Sequence, residues 1–271
     1  MTDSGTGTQR IACAVEYDGV RFRGWQRQRD HVRTVQAALE QALSAVADEP
    51  VRTVCAGRTD AGVHATGQVV HFDTHARRPE KAWVMGTNSH LPADVAVRWA
   101  SPVPDEFHAR FSVVERRYRY VIVEGMSRPA LWRGRAAWST ARLSIERMRE
   151  AARLLEGEHD FSAFRSAQCQ APNPVRTVHQ VSVQRTGECA LIDVRANAFL
   201  HNMVRIIAGT LMSVGSGERD PDWVARVLES RDRTAGAATA PARGLYFVGP
   251  VYPERFGLPP RPQPPWAGAA I

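Results

Sequence analysis

A chain of 271 residues with 44% hydrophobic composition is too long for a minimal domain and apolar enough to build a core without disulfide or metal staples. Its four cysteines, Cys13, Cys55, Cys169 and Cys189, show no zinc-ligand spacing and no secretory signal precedes them, so reduced thiols in a cytoplasmic protein are expected. No apolar run approaches the roughly 20 residues of a membrane-spanning helix, and the formal charge of +7 favours a polyanionic partner such as RNA, DNA or an acidic surface. The basic residues are 34 Arg and the single Lys81, which fits a compositional bias as well as a binding adaptation.

Residues 1–9 are small and polar and read as a flexible N-terminus. Residues 11–17 alternate into a strand that ends at the turn signal Asp18-Gly19. Thr34 caps a helix marked by Val35, Leu39, Leu43 and Val46, with Pro50 beyond its end. Residues 51–56 and 68–73 form short strands on either side of a glycine-rich loop. Further on, 116–124 is the strongest strand pattern, with Tyr118, Tyr120 and Ile122 on one face. Ser144 caps a helix that Gly157 stops, and residues 178–185 and 190–196 form a hairpin through Thr186-Gly187. A helix over 199–214 carries Met203, Ile207, Leu211 and Val214 and ends at Gly215. Asp220-Pro221 opens a short helix, 245–251 is a last strand, and the Pro-rich segment 253–271 reads as a tail outside the core.

This grammar predicts an α+β fold: two similar α/β subdomains fused through a largely antiparallel sheet with helices packed on it and a central catalytic cleft. The subdomains are placed at 10–105, carrying the glycine-rich loop, and 106–252. The hairpin argues against a parallel α/β alternative.

The loop itself is Ala56-Gly57-Arg58-Thr59-Asp60-Ala61-Gly62-Val63-His64-Ala65-Thr66-Gly67-Gln68. Glycine tolerates positive φ and lets a ligand approach the backbone, while Arg58 can hold Asp60 ionised and contact a phosphate. An ordinary surface loop has the same composition, so spacing alone leaves both readings open. Two clusters interleave arginine with aromatics: Arg21, Arg23, Arg27 and Arg29 with Phe22 and Trp25, and Arg116, Arg117 and Arg119 with Tyr118 and Tyr120. Such clusters either bind backbone and stack bases or are solvated strand faces with core aromatics. Asp60, His64, His71, Asp73 and His75 can also be drawn as metal ligands, though their spacing matches no recognised metal motif, and this sets up a metal-dependent hydrolase as an alternative.

The loop resembles the catalytic motif of the tRNA pseudouridine synthase A family, whose nucleophile is the aspartate of Gly-Arg-Thr-Asp-Ala-Gly-Val-His. The similarity runs over about residues 10–252: Tyr17-Asp18-Gly19 with Phe22, Gly24-Trp25-Gln26 and Gln28; Asn88 with Leu91-Pro92; Phe107-His108-Ala109-Arg110-Phe111; Arg117-Tyr118-Arg119-Tyr120; Phe199-Leu200-His201-Asn202-Met203-Val204-Arg205; and a closing block from Asp232-Arg233-Thr234 through Ala240-Pro241-Ala242 to Gly244-Leu245.

The resemblance implies isomerisation of uridine to pseudouridine at positions 38, 39 and 40 of the tRNA anticodon stem-loop, with base flipping into a cleft between subdomains and without cofactor or metal. It implies Asp60 as nucleophile, Tyr118 stacked on the target base, Arg205 paired with the nucleophile, and Arg58 handling the flipped nucleotide. Phe107, His108, Ala109, Arg110, Phe111, Gln168, Cys169, Gln170 and Leu245 are implied substrate contacts. It further implies a homodimer whose partner is tRNA, with no membrane association. Read from the residues alone, Tyr118 is equally a member of a half-buried strand face, and Arg205 a helix-terminal surface arginine. A non-catalytic tRNA-binding protein is the third reading.

Overall fold

Five successive apolar residues, 11–15, are buried without alternation, which is the signature of a strand covered on both faces rather than one half in solvent. In the computed structural model, which describes residues 7–29, 31–260 and 262, these residues sit in β1 (Gln9–Tyr17). Antiparallel neighbours flank it on either side: β3 (His64–Thr74) and β4 (Val95–Val103). A two-residue strand, β2 (Val54–Cys55), pairs with β3. The helices α1 (Val35–Ala47) and α2 (Glu80–His90) pack on each other, and α2 packs on β4. Thr34 caps α1, its hydroxyl accepting from Ala37 N–H at 3.4 Å, and Asp48 ends it at φ 58°.

The predicted strand over 51–56 shrinks to β2 because Thr53 bonds elsewhere. Its N–H and hydroxyl both donate to the buried carboxylate of Glu40 on α1, at 2.9 and 3.2 Å. Gln36 and Arg52 donate to the same carboxylate, so α1 fixes the chain that leads into the glycine-rich loop.

The described residues fall into two units, 7–114 with 247–262 and Glu115–Tyr246. In the second, β5 (Glu115–Glu124), β9 (Cys189–Ala196), β8 (Val175–Thr186) and β7 (Gly157–Asp160) pair in that order, all antiparallel. The short β6 (Ala137–Ser139) runs parallel to β5. Gly187 takes φ 58° in the β8–β9 turn, as the hairpin signal requires. Helix α3 (Ile145–Arg153), capped by Ser144, packs on β8 and on α4 (Met203–Gly215), and α5 (Trp223–Ser230) follows. The last strand, β10 (Leu245–Val251), has the predicted bounds, and the chain passes from the second unit back to the first within it.

With ten strands and five α-helices among the described residues, mostly antiparallel, the chain has the α+β class predicted from its sequence. No helix of the described residues is long and apolar enough to cross a membrane.

Other boundaries also differ from the sequence reading: β3 begins at His64 rather than 68, taking in the end of the glycine-rich stretch, and β8 at Val175 rather than 178. Gln9 is already in β1, while residues 1–6 lie outside the described residues. The helix predicted from 199 begins at Met203, because Asn202 takes a left-handed φ of 63° that no helix can run through. The segment from Pro253 is not wholly a tail: the turn Glu254–Phe256 buries Phe256 against Phe107, ring centroids 5.2 Å apart. Residues 261 and 263–271, including Trp266, lie outside the described residues.

Candidate active site

The Asp60 loop is anchored at nearly every residue. Ala56 N–H donates to Val69 O at 2.8 Å, and the Gln68 side-chain amide donates to Gly57 O at 2.6 Å. Trp25 N–H reaches Thr59 O at 2.9 Å, Val63 N–H closes on Asp60 O at 3.1 Å, and Gly62 N–H reaches Phe22 O at 3.4 Å. Of the three glycines, Gly62 is the one in the left-handed region, at φ 77°. Arg58 is exposed, Thr59 buried and Asp60 half-buried. The loop is thus built into the first unit, tied to β3, to the segment 22–25 and to itself.

The segment that braces it is the stretch 17–25, where one arginine cluster lies. Phe22 and Trp25 are fully buried there, so they serve the core and cannot stack a base. The guanidinium of Arg33 covers Phe22 at 4.1 Å. Arg21, Arg23, Arg27 and Arg29 are exposed beside these core aromatics, leaving the basic half of the cluster facing solvent.

Also in the first unit, segment 107–111 is held by His71 on β3. Ala109 N–H donates to His71 Nδ1 at 3.0 Å, and Tyr252 OH donates to Ala109 O at 2.6 Å. Phe107 and Ala109 are buried. Phe111 is 75% exposed and stacks on the His108 ring, centroids 4.3 Å apart, with the exposed Arg110 guanidinium 5.5 Å from its ring. An exposed aromatic with an adjoining arginine is suited to base stacking.

Burial, with Arg10 adding to it, pushes the His71 imidazole down from 6.5 to about 4. The unfolded chain therefore takes up a proton near pH 6.5 that the folded chain refuses until about pH 4. Stability contributed by neutral His71 is full above pH 6.5 and is lost as pH falls through that window, by on the order of 3 kcal/mol in total. Urea titrations at pH 7 and pH 4.5 will show this loss, and His71→Asn, which keeps an acceptor for Ala109 but does not titrate, will flatten it. A His71→Asn chain that loses as much stability as the parent over the same range rules the assignment out.

The second unit carries the remaining predicted residues. Tyr118 on β5 is half-buried and meets Phe199 edge-on, centroids 5.0 Å apart at 85°. Its neighbours are committed to structure. Arg119 forms a two-pronged pair with Asp193 at 2.7 and 2.9 Å, Arg117 bonds Glu115, and the buried Tyr120 donates to Pro241 O at 2.8 Å. Burial pushes the Tyr120 phenol well above its usual range.

Arg205, in the first turn of α4, is half-buried and not a free surface arginine. Its Nε donates to Ala240 O and its Nη1 to Asn202 Oδ1, both at 2.8 Å. Asn202 in turn owes that position to its left-handed backbone. Gln168 and Gln170 are exposed and Cys169 half-buried, on a turn fastened to the same segment: Ser166 N–H donates to His201 O at 3.0 Å, and the Ser166 hydroxyl bonds His201 Nδ1 at 3.0 Å. Leu245 opens β10 and is buried.

The metal alternative finds no geometry among the described residues, which contain no group of three His, Cys, Asp or Glu arranged to hold an ion. His71 Nδ1 accepts from Ala109, His64 Nδ1 accepts from Gly19 N–H at 3.1 Å, and Asp73 is occupied by Arg10 through two bonds at 2.7 and 2.9 Å. Sequence reasoning missed Tyr17 and Thr59, whose hydroxyls meet at 2.7 Å beneath the loop, and the Ser166–His201 link. Both join residues that lie far apart along the chain.

Comparison with known proteins adds an independent line. A family model described as tRNA pseudouridine synthase matches residues 13–112 and 151–253. A Pseudomonas aeruginosa protein named tRNA pseudouridine synthase A is 57% identical over 255 residues, 94% of this chain and 90% of that protein. Proteins of the same name from Alcanivorax borkumensis and Vibrio cholerae are 56% and 54% identical, over 94% and 93% of this chain and 96% of each relative. With its Asp60 loop, its two α+β units and matches of this extent, the chain belongs to the tRNA pseudouridine synthase family.

Proposed function

We propose that this protein isomerises uridine to pseudouridine in tRNA, at positions 38, 39 and 40 of the anticodon stem-loop, with Asp60 as the nucleophile acting on a nucleotide everted from the stem. The reaction breaks the N1–C1′ bond, turns the uracil and rejoins it through C5, whose proton passes to a base and on to solvent while N1 takes one up. Nothing is consumed, so a nucleophile, a means of holding the detached base and a base for the C5 proton suffice, without cofactor. Asp60 can attack C1′ or uracil C6, or assist glycal formation.

The observation that carries this reading is the half-buried carboxylate of Asp60 on a loop tied to the strands and braces of the first unit, in a chain whose relatives bear the synthase name. A group fixed this way keeps its attack geometry without a reorganisation cost. The resemblance assigns stacking on the target ring to Tyr118, pairing with the nucleophile to Arg205, and the displaced nucleotide's phosphate to Arg58. Exposed arginines at 21, 23, 27, 29, 58 and 110 suit phosphate contacts that read shape rather than sequence, as three adjacent target sites require. The same resemblance supports a cytoplasmic homodimer.

Purified protein will release tritium from unmodified tRNA labelled at uracil C5, and chemical mapping will place pseudouridine at 38, 39 and 40, with or without a chelator. No release sinks the reading. Modification mapped elsewhere sinks the positions.

A further inference from the structure

The residue that precedes Asp60 is held on both its carbonyl and its side chain. Thr59 is buried and its two oxygens are both engaged. The carbonyl accepts from Trp25 N–H at 2.9 Å, and the hydroxyl meets Tyr17 OH at 2.7 Å. Tyr17 ends β1, is 3% exposed, and lies 5.9 Å from the Trp25 ring. The β1–β3 register shifts between Val15 and Tyr17, an irregularity of the kind that re-aims a side chain at the end of a strand. Gly24 completes the support from the other side. At φ 94° it lies so near the loop that an added Cβ would sit 2.8 Å from Thr59 O and 3.3 Å from the Asp60 carbonyl carbon.

We propose that Tyr17 is a positioning residue for Asp60: its phenolic hydroxyl, acting through the Thr59 hydroxyl, fixes the direction in which the nucleophile points. The pair is buried, so neither hydroxyl has bulk water as a substitute partner. As a positioning residue, Tyr17 is expected to act on the chemical step rather than on tRNA binding. The inference rests on Asp60 being the nucleophile.

The test compares Tyr17→Phe, Thr59→Val and Thr59→Ser with the parent and with Asp60→Ala, using single-turnover tritium release at saturating enzyme and tRNA affinity measured separately. Tyr17→Phe keeps the ring in the core and removes one oxygen. The rate is expected to fall on the order of 10- to 100-fold for Tyr17→Phe and for Thr59→Val, since small misplacements of a reacting group have effects of that size. Affinity for tRNA should hold within about twofold, because neither hydroxyl is exposed to RNA. The double variant Tyr17→Phe/Thr59→Val should be no slower than either single one, as expected when two groups act through one bond.

Thr59→Ser, which retains the hydroxyl, should stay near the parental rate and so separate a positioning role from a packing role. If Tyr17→Phe loses stability, the contrast between Thr59→Ser and Thr59→Val decides the matter in its place. A stable Tyr17→Phe enzyme with parental rate, or a Thr59→Ser variant as slow as Thr59→Val, overturns the proposal. A parent protein that releases no tritium overturns the functional reading and this inference with it, whereas an active, Asp60-dependent parent with an unaffected Tyr17→Phe overturns this inference alone.

Discussion

Asp60→Ala will abolish pseudouridine formation while tRNA binding persists. The substitution removes only the carboxylate; the bonds that hold the loop use its main-chain atoms, with Thr59 O accepting from Trp25, Asp60 O from Val63, Gly57 O from the Gln68 side chain, and Gly62 N–H donating to Phe22 O, and they survive it. Because Asp60 is only partly buried and the change deletes few atoms, no large cavity opens and the fold should retain its stability to within about 1 kcal/mol. The chemical step has no substitute nucleophile, so tritium release should drop by at least about 10³-fold, the scale seen when a nucleophile is deleted. On the proposed reading the affinity for tRNA rests on exposed arginines, and it should change by less than about threefold. A variant that still converts uridine at a tenth of the parental rate would remove Asp60 from the mechanism. If instead every effect on RNA were unaltered by the change, the protein would be a binder rather than an enzyme.

Gly19→Ala should damage both stability and activity although it lies outside the loop. A Cβ at Gly19 would stand 2.0 Å from Val63 O and 2.5 Å from the Val63 carbonyl carbon, distances no real side chain adopts. The obstacle is backbone on both sides, so no rotamer change relieves it. Either the end of β1 or the loop must move, and Val63 N–H is the group that closes on Asp60 O. The same shift would break the bond from Gly19 N–H to His64 Nδ1.

The expected loss is about 3 kcal/mol in denaturant titration, typical of severe overpacking, with activity down on the order of 100-fold. Gly7→Ala, where nothing lies within 4 Å, is the matched control and should change stability by less than about 0.5 kcal/mol. Parental stability in Gly19→Ala would show that the loop yields at no cost, and the account of a rigid nucleophile platform would fail.

What could be read from the residues was what depends on neighbours in the chain. Thr34 and Ser144 cap the helices they precede, Gly187 turns its hairpin, and β10 has its predicted bounds, because caps, turns and short apolar alternation are set within a few residues. Helix α2 gave no signal. Its second half contains Gly86, Thr87, Asn88 and Ser89, and it is fixed instead by the Asn88 side chain, which bonds both N–H and C=O of Val97 on β4. Strand β4 carries Arg98 and Pro102 in its run and hid for the same reason.

At the site, spacing alone left the Asp60 loop open between a working carboxylate and a surface turn, and the role expected of Asp60, like those of Tyr118 and Arg205, came through resemblance. The burial of Phe22, Trp25 and Tyr120, which leaves Tyr118 as the one aromatic of the two arginine clusters that is not buried, is a tertiary outcome that alternation of residue types does not encode. The pairing of Tyr17 with Thr59, 42 residues apart, is likewise visible only once β1 and β3 lie side by side.

The division of the chain into units has a consequence for how the molecule is made. The first unit uses residues up to Val114 and then waits for Phe247 onward, so its final strand emerges only after the whole second unit has been translated. At elongation speeds of about 5–20 residues per second that interval is on the order of ten seconds. During it Phe107 lacks the rings of Tyr252 and Phe256 that cover it, and Val114 N–H lacks the Val251 carbonyl. The nascent half-built unit is thus an exposed apolar surface with a lifetime set by the ribosome.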